Sequence, residues 1–153
     1  GQSSNEHIMK KLTATLLAAF AIYQVSAAEG DWLNSLPKAL EQAKKEKKLV
    51  LLDFNGSDWC PPCIKLKKDV FGSADFKKFA KDNLVLVDVD FPRRKAQPAD
   101  IKAANDALSE KYKIEGFPTI IVLNADGKEV NREVGYDGES PKDYVGKLKK
   151  LKK

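Results

Sequence analysis

Two cysteines, Cys60 and Cys63, are the only ones in a chain of 153 residues, and they enclose Pro61 and Pro62. Proline has a fixed φ and no N–H, so it is tolerated in the first turn of a helix and disrupts helix interiors. A helix is expected to begin at the cysteines, with Ile64, Leu66, Val70 and Phe71 on its inner side. Ahead of it, Leu49 to Phe54 is an apolar run too short for a helix and reads as a buried strand. Asn55-Gly56-Ser57 supplies a turn cluster between the two. A bridge between these cysteines would close so small a loop that it could constrain little of the unfolded chain. A structural staple therefore explains the pair poorly, and a redox-cycling pair explains it better.

The compartment bears on that reading. Met9-Lys10-Lys11, a largely apolar Leu12 to Val25 and the small residues of Val25-Ser26-Ala27 follow the order of a secretory signal peptide. Residues 1–8 precede the only methionine and read as a vector-derived remnant, residues 9–27 as the signal peptide, and residues 28–153 as one folded domain. The alternative is a native amphipathic or anchoring helix over Lys11 to Tyr23. Thr13, Thr15, Tyr23 and Gln24 interrupt the apolar stretch, which falls short of the roughly 20 residues of a membrane span. No stable span is expected after signal removal, and the location is expected to be periplasmic or otherwise exported, where disulfides can form. The net charge of +5 becomes +4 without residues 1–27, which carry Lys10, Lys11 and Glu6. This mild excess lacks an aromatic-basic motif, so nucleic acid is not an expected partner.

Trp32, Leu33, Leu36, Leu40 and Ala43 recur at helical spacing, with Asp31 placed to cap the start. Phe76, Phe79 and Ala80 suggest a short helix, Leu84 to Phe91 a central strand, and Ile101 to Tyr112 another helix. Pro118 to Leu123 reads as a strand turned by Asn124-Ala125-Asp126-Gly127 into a partner near Glu129 to Val134. Pro141 to Leu151 closes the chain as a helix with a solvated lysine face. Alternating elements followed by a hairpin predict an α/β fold: a central mixed sheet with helices on both faces.

Asp53-Phe54, Trp59-Cys60-Pro61-Pro62-Cys63 and Lys111-Tyr112-Lys113-Ile114-Glu115-Gly116-Phe117-Pro118-Thr119 together resemble the thioredoxin superfamily, in the family's order and over roughly Leu49 to Gly135. The stretch from Phe54 to Phe71 is most similar to exported bacterial members. The resemblance implies a thioredoxin-like three-layer sandwich and thiol-disulfide exchange with protein substrates. It also implies that the Phe117–Pro118 bond is cis, that Pro118 faces the disulfide, and that Phe117 and Thr119 flank a substrate groove. Phe117 read by itself is equally a core residue. Asp53 would be the family's buried acid near the second cysteine. One extra residue within Asn55-Gly56-Ser57-Asp58 decides this: absorbed in a turn it leaves Asp53 in place, and absorbed by strand slippage it does not.

The chemistry follows from the junction. A helix N-terminus favours thiolate, the attacking species, so Cys60 is assigned as nucleophile. Cys63, in the first turn, is assigned as the resolving thiol. Pro61 and Pro62 remove N–H groups that would otherwise stabilise the thiolate, which disfavours a strongly oxidising pair and leans the function toward reduction. Trp59 either shields the disulfide or simply packs. Arg93, Arg94 and Lys95 tip a long loop that is either solvated or guides an acidic partner.

Rival readings are a disulfide isomerase or oxidase of the same fold, a Cu(I)-binding protein, and a non-catalytic docking module. Zinc would need two further ligands, with no other cysteine present and the single histidine, His7, in the leader. The expectation is a monomer with no metal and no cofactor beyond the Cys60–Cys63 disulfide, serving protein disulfide or dithiol substrates and an unidentified electron donor.

Overall fold

The computed structural model describes residues 32–151. The expected remnant, the signal peptide, the Asp31 cap and the proposed domain start all lie outside these residues. Ten regular elements follow in order: β1 (Trp32–Leu33), α1 (Leu36–Glu46), β2 (Leu49–Asn55), α2 (Pro61–Leu66), α3 (Ala74–Asn83), β3 (Leu84–Asp90), α4 (Ala99–Lys111), β4 (Thr119–Leu123), β5 (Glu129–Val134) and α5 (Pro141–Lys149). A π-helical turn, Lys67–Phe71, extends α2.

The strands form one mixed sheet in the order β1-β3-β2-β4-β5. β1 and β2 lie parallel to β3, while β2–β4 and β4–β5 are antiparallel. β2 is buried along its whole length, as a run flanked on both sides and covered on both faces must be. Its alternate residues divide the core. Leu49 and Leu51 pack with Leu66, Val70, Phe71, Phe76 and Tyr144 on one face. Val50, Leu52 and Phe54 pack with Leu36, Ala39, Ala43 and Tyr112 on the other. α2, α3 and α5 thus cover one face and α1 and α4 the other, giving the three-layer α/β sandwich expected.

Two expectations about helices are corrected. Trp32 and Leu33 are not helical: they form β1, paired with Leu86 and Val87. The helix starts only at Leu36, where Ser35 caps it by accepting from the Lys38 N–H at 3.4 Å and Pro37 sits in the first turn. A helix begun at Asp31 would have put Pro37 in its interior, without the N–H that position needs. Ile64 does not face inward but is 46% exposed. The inner side of α2 carries Cys63, Leu66 and Val70, and the wider π turn, closed by Gly72 N–H to the Lys67 carbonyl at 2.9 Å, brings Phe71 in beside Val70.

Candidate active site

Cys60 ends the turn after β2 and is the N-cap of α2, with extended φ/ψ of −102°/101°. Its carbonyl accepts from Ile64 N–H at 3.0 Å, and its own N–H donates to the Gly56 carbonyl at 3.0 Å. Pro61 and Pro62 open the helix, so Cys63 is the third helical residue. The two cysteines are joined in a disulfide with Cα atoms 5.3 Å apart, and both are almost fully buried. An N-cap side chain ordinarily accepts from the second or third helical N–H. Pro62 removes the former, so the Cys63 N–H is the first main-chain donor available to a Cys60 thiolate.

Trp59 is held from four sides. Its indole N–H donates to the Phe91 carbonyl at 2.7 Å, and its ring meets Phe117 edge-on at 5.7 Å. The Arg93 guanidinium lies over the ring, 3.6 Å from its centroid. Gly56 lies against the indole so closely that a Cβ there would overlap it. The Phe117–Pro118 bond is cis. Phe117 also contacts Phe91 at 5.5 Å, and Pro118 is followed directly by β4. Thr119 is buried, pairs with Phe54 and donates its hydroxyl to the Gly116 carbonyl at 2.7 Å, which fixes the start of the strand.

β2 runs in unbroken register beside β3 from Leu49 to Asn55, so the extra residue before the cysteines is absorbed in the turn. Trp59 and Cys60 N–H both donate to the Gly56 carbonyl within that turn. Asp53 therefore keeps its strand position and points to the face that α2 covers, the same side as Leu49 and Leu51. It is buried, and its Oδ1 has no hydrogen-bond partner. Burial, then the neighbouring Asp88, push its carboxyl well above the usual carboxylate range; Lys67 opposes this and Asp90 adds to it. Asp88 is Asp53's register partner on β3 and is itself raised, chiefly by burial. Asn55, expected in a turn, is instead the last residue of β2, and its amide donates to the Asp53 carbonyl at 3.0 Å and to Asp88 Oδ1 at 2.7 Å.

The turn and the basic loop are tied together. Asp90 accepts from Ser57 N–H at 2.9 Å and from its hydroxyl at 2.6 Å. Asp58 accepts from Arg93 and Arg94 N–H at 3.0 and 2.8 Å, bonds that hold its exposed carboxyl below the usual range. Asn105, almost fully buried on α4, donates to the Asp90 carbonyl at 3.0 Å. A groove of about 530 Å³ runs between this loop, Trp59, Phe117 and α4.

Trp59, Cys60, Pro61, Pro62 and Cys63 lie together where the turn after β2 enters α2, and Phe117, which precedes Pro118, meets them through the Trp59 ring. The sequence does not mark Gly56, Asp88, Asp90, Arg93 and Asn105 as parts of the site's frame. In the sequence Gly56 reads as a turn residue, and Arg93 as one of three loop cations that are either solvated or guide an acidic partner. Among the described residues, no three His, Cys, Asp or Glu side chains converge as metal ligands, and no helix is long and apolar enough to cross a membrane.

A family model described as a thioredoxin-like domain matches residues 36–152. The disulfide bond reductase DsbH of Chlamydia pneumoniae is 38% identical over 125 residues, covering 82% of this chain and 74% of that protein. The thioredoxin-related protein DsbJ of Chlamydia pneumoniae is 32% identical over 136 residues, covering 85% of this chain but only 39% of its own length. A solved structure of a DsbH oxidoreductase superposes with a TM-score of 0.72 at 38% identity, covering 80% of this chain and 83% of that one.

Proposed function

This chain belongs to the thioredoxin-like family, and from that premise we propose that it is a thiol-disulfide oxidoreductase that reduces protein disulfides through Cys60 and Cys63. The observation that carries the reading is the placement of Cys60 at the helix cap, with its disulfide partner at the third helical position.

In the dithiol form, the Cys60 thiolate attacks one sulfur of a substrate disulfide. A mixed disulfide forms, and the other substrate sulfur leaves as a thiolate that takes a proton from solvent. Cys63, once deprotonated, attacks Cys60 Sγ, and the first substrate sulfur departs as its electron pair is released. The substrate has gained two electrons and two protons, and Cys60–Cys63 is left oxidised, as it is in the structure. Asp53, buried on the face that α2 covers, is the group proposed to exchange the Cys63 proton. Trp59, Phe117, cis-Pro118 and Thr119 form the proposed substrate side of the centre.

Loss of two N–H donors to Pro61 and Pro62 weakens thiolate stabilisation, which supports reduction over oxidation. The order of basic, apolar and small residues ahead of the domain supports an exported, periplasmic location. There, an external dithiol donor would return the centre to its reduced form. No cofactor beyond the cysteine pair is required. The test is reduction of insulin by the full chain with a dithiol donor. Turnover well above that of Cys60→Ser supports the assignment, and equal rates contradict it.

A further inference from the structure

We propose that the groove bordered by Trp59, Phe117 and the Arg93 loop is a substrate subsite for a polypeptide segment carrying a carboxylate close to its target cysteine, with the Arg93 guanidinium as the anchor. The inference rests on the reductase reading above and adds a substrate class to it.

The groove adjoins the redox centre through Trp59, the residue before Cys60. Its walls are amphipathic. Trp59, Phe91 and Phe117 supply a continuous aromatic floor, and Arg93, Lys95 and Lys102 stand around it with Asp106 as the one lining acid. Two of the three cations are already engaged. Lys102 is paired with Asp106 at 2.8 Å, and Lys95 reaches Asp90 at 3.6 Å. Arg93 has no acidic side chain within ion-pair distance among the described residues; its guanidinium instead lies on the Trp59 ring.

That arrangement suits an incoming carboxylate. Stacking on an aromatic face leaves the in-plane N–H groups of a guanidinium free, and their fork matches the two oxygens of a carboxylate. The loop is also fixed beforehand, because Asp58 accepts from both the Arg93 and Arg94 N–H groups. Less conformational freedom is then lost when a ligand docks. An extended segment with its cysteine at Cys60 could lay an apolar side chain on Phe117 and Phe91 and place an acid on Arg93. Arg94 is exposed and does not line the groove, so the three basic residues of the loop are not equivalent.

The test uses the full chain with a dithiol donor and two disulfide-bridged peptides, identical except for Glu or Gln two residues after the target cysteine. At low salt the kcat/KM for the Glu peptide should exceed that for the Gln peptide by roughly fivefold, the size expected of a solvent-accessible charge pair. The ratio should fall toward one in Arg93→Gln and toward one in high salt. Lys142→Gln, on α5 across the sheet, should keep the ratio. A ratio of one in the native chain, or an undiminished ratio in Arg93→Gln, overturns the subsite. If neither peptide is reduced, the reductase reading itself falls and takes the subsite with it.

Discussion

Asp53 and Asp88 are register partners on neighbouring parallel strands, and Asn55 ties the pair by donating to the Asp53 carbonyl and to the Asp88 carboxylate. Two acids side by side in a buried layer cannot both ionise cheaply. Asp53, the more buried and with an unpartnered oxygen, holds its proton above the ordinary carboxylate range.

A raised folded-state pKa stabilises the fold below the unfolded-state value near 4, and that contribution is lost as pH rises through the folded-state value. Asp53→Asn should therefore be more stable than the native chain at neutral and alkaline pH, by about 1–3 kcal/mol. It should also remove part of the decline of stability with pH. Denaturant melts across pH measure this. Asp88→Asn should lower the Asp53 titration midpoint, read by carbon NMR of the carboxyl group; an unmoved midpoint would mean that Asp88 does not contribute to it.

Gly56 is the floor on which Trp59 rests. Gly56→Ala would push a methyl group into the indole, displacing the ring from the Phe91 carbonyl and from Phe117. The expected cost is about 1–3 kcal/mol, with a changed Trp59 fluorescence spectrum and slower insulin reduction. Unchanged fluorescence would show that the ring accommodates the methyl in place.

Asp90 fastens the active-site turn to the end of β3 through two bonds from Ser57. Asp90→Ala should destabilise the protein by about 1.5–3 kcal/mol, the range for hydrogen bonds to a charged group. Thermal unfolding with the disulfide intact measures it.

Much of this site was legible because its parts are local. The run Leu49 to Phe54, the turn and the two prolines set a strand-to-helix junction within fifteen residues, and each signal names its own neighbours. The contacts that escaped are nonlocal. Asp88 meets Asp53 only through the register of two strands, and Arg93 meets Trp59 only because the long loop folds back onto the turn. Trp32 and Leu33 share the helical spacing of the residues after them, and the signals that decide where the helix starts are Ser35 and Pro37. Ile64 faces out because it lies two residues, about 200° of helical rotation, from Leu66, so it cannot share the inner side that Cys63, Leu66 and Val70 form.

The redox poise follows from the missing N–H groups. Pro62→His restores a main-chain donor at the second helical position and adds a titratable cation beside Cys60, both of which favour the thiolate. The disulfide of that variant should be more oxidising by roughly 30 mV or more, on the scale where 30 mV corresponds to about 1.4 kcal/mol. Equilibration with glutathione gives the value, and an unchanged or lower potential would contradict the role assigned to the prolines.

The division of labour between the two sulfurs is tested most directly by trapping. Reduced Cys63→Ser, mixed with a disulfide-bridged peptide, should accumulate a covalent adduct through Cys60, detected by intact mass, whereas Cys60→Ser should accumulate little or none. Adduct formation chiefly through Cys63, in the variant that lacks Cys60, would contradict the account.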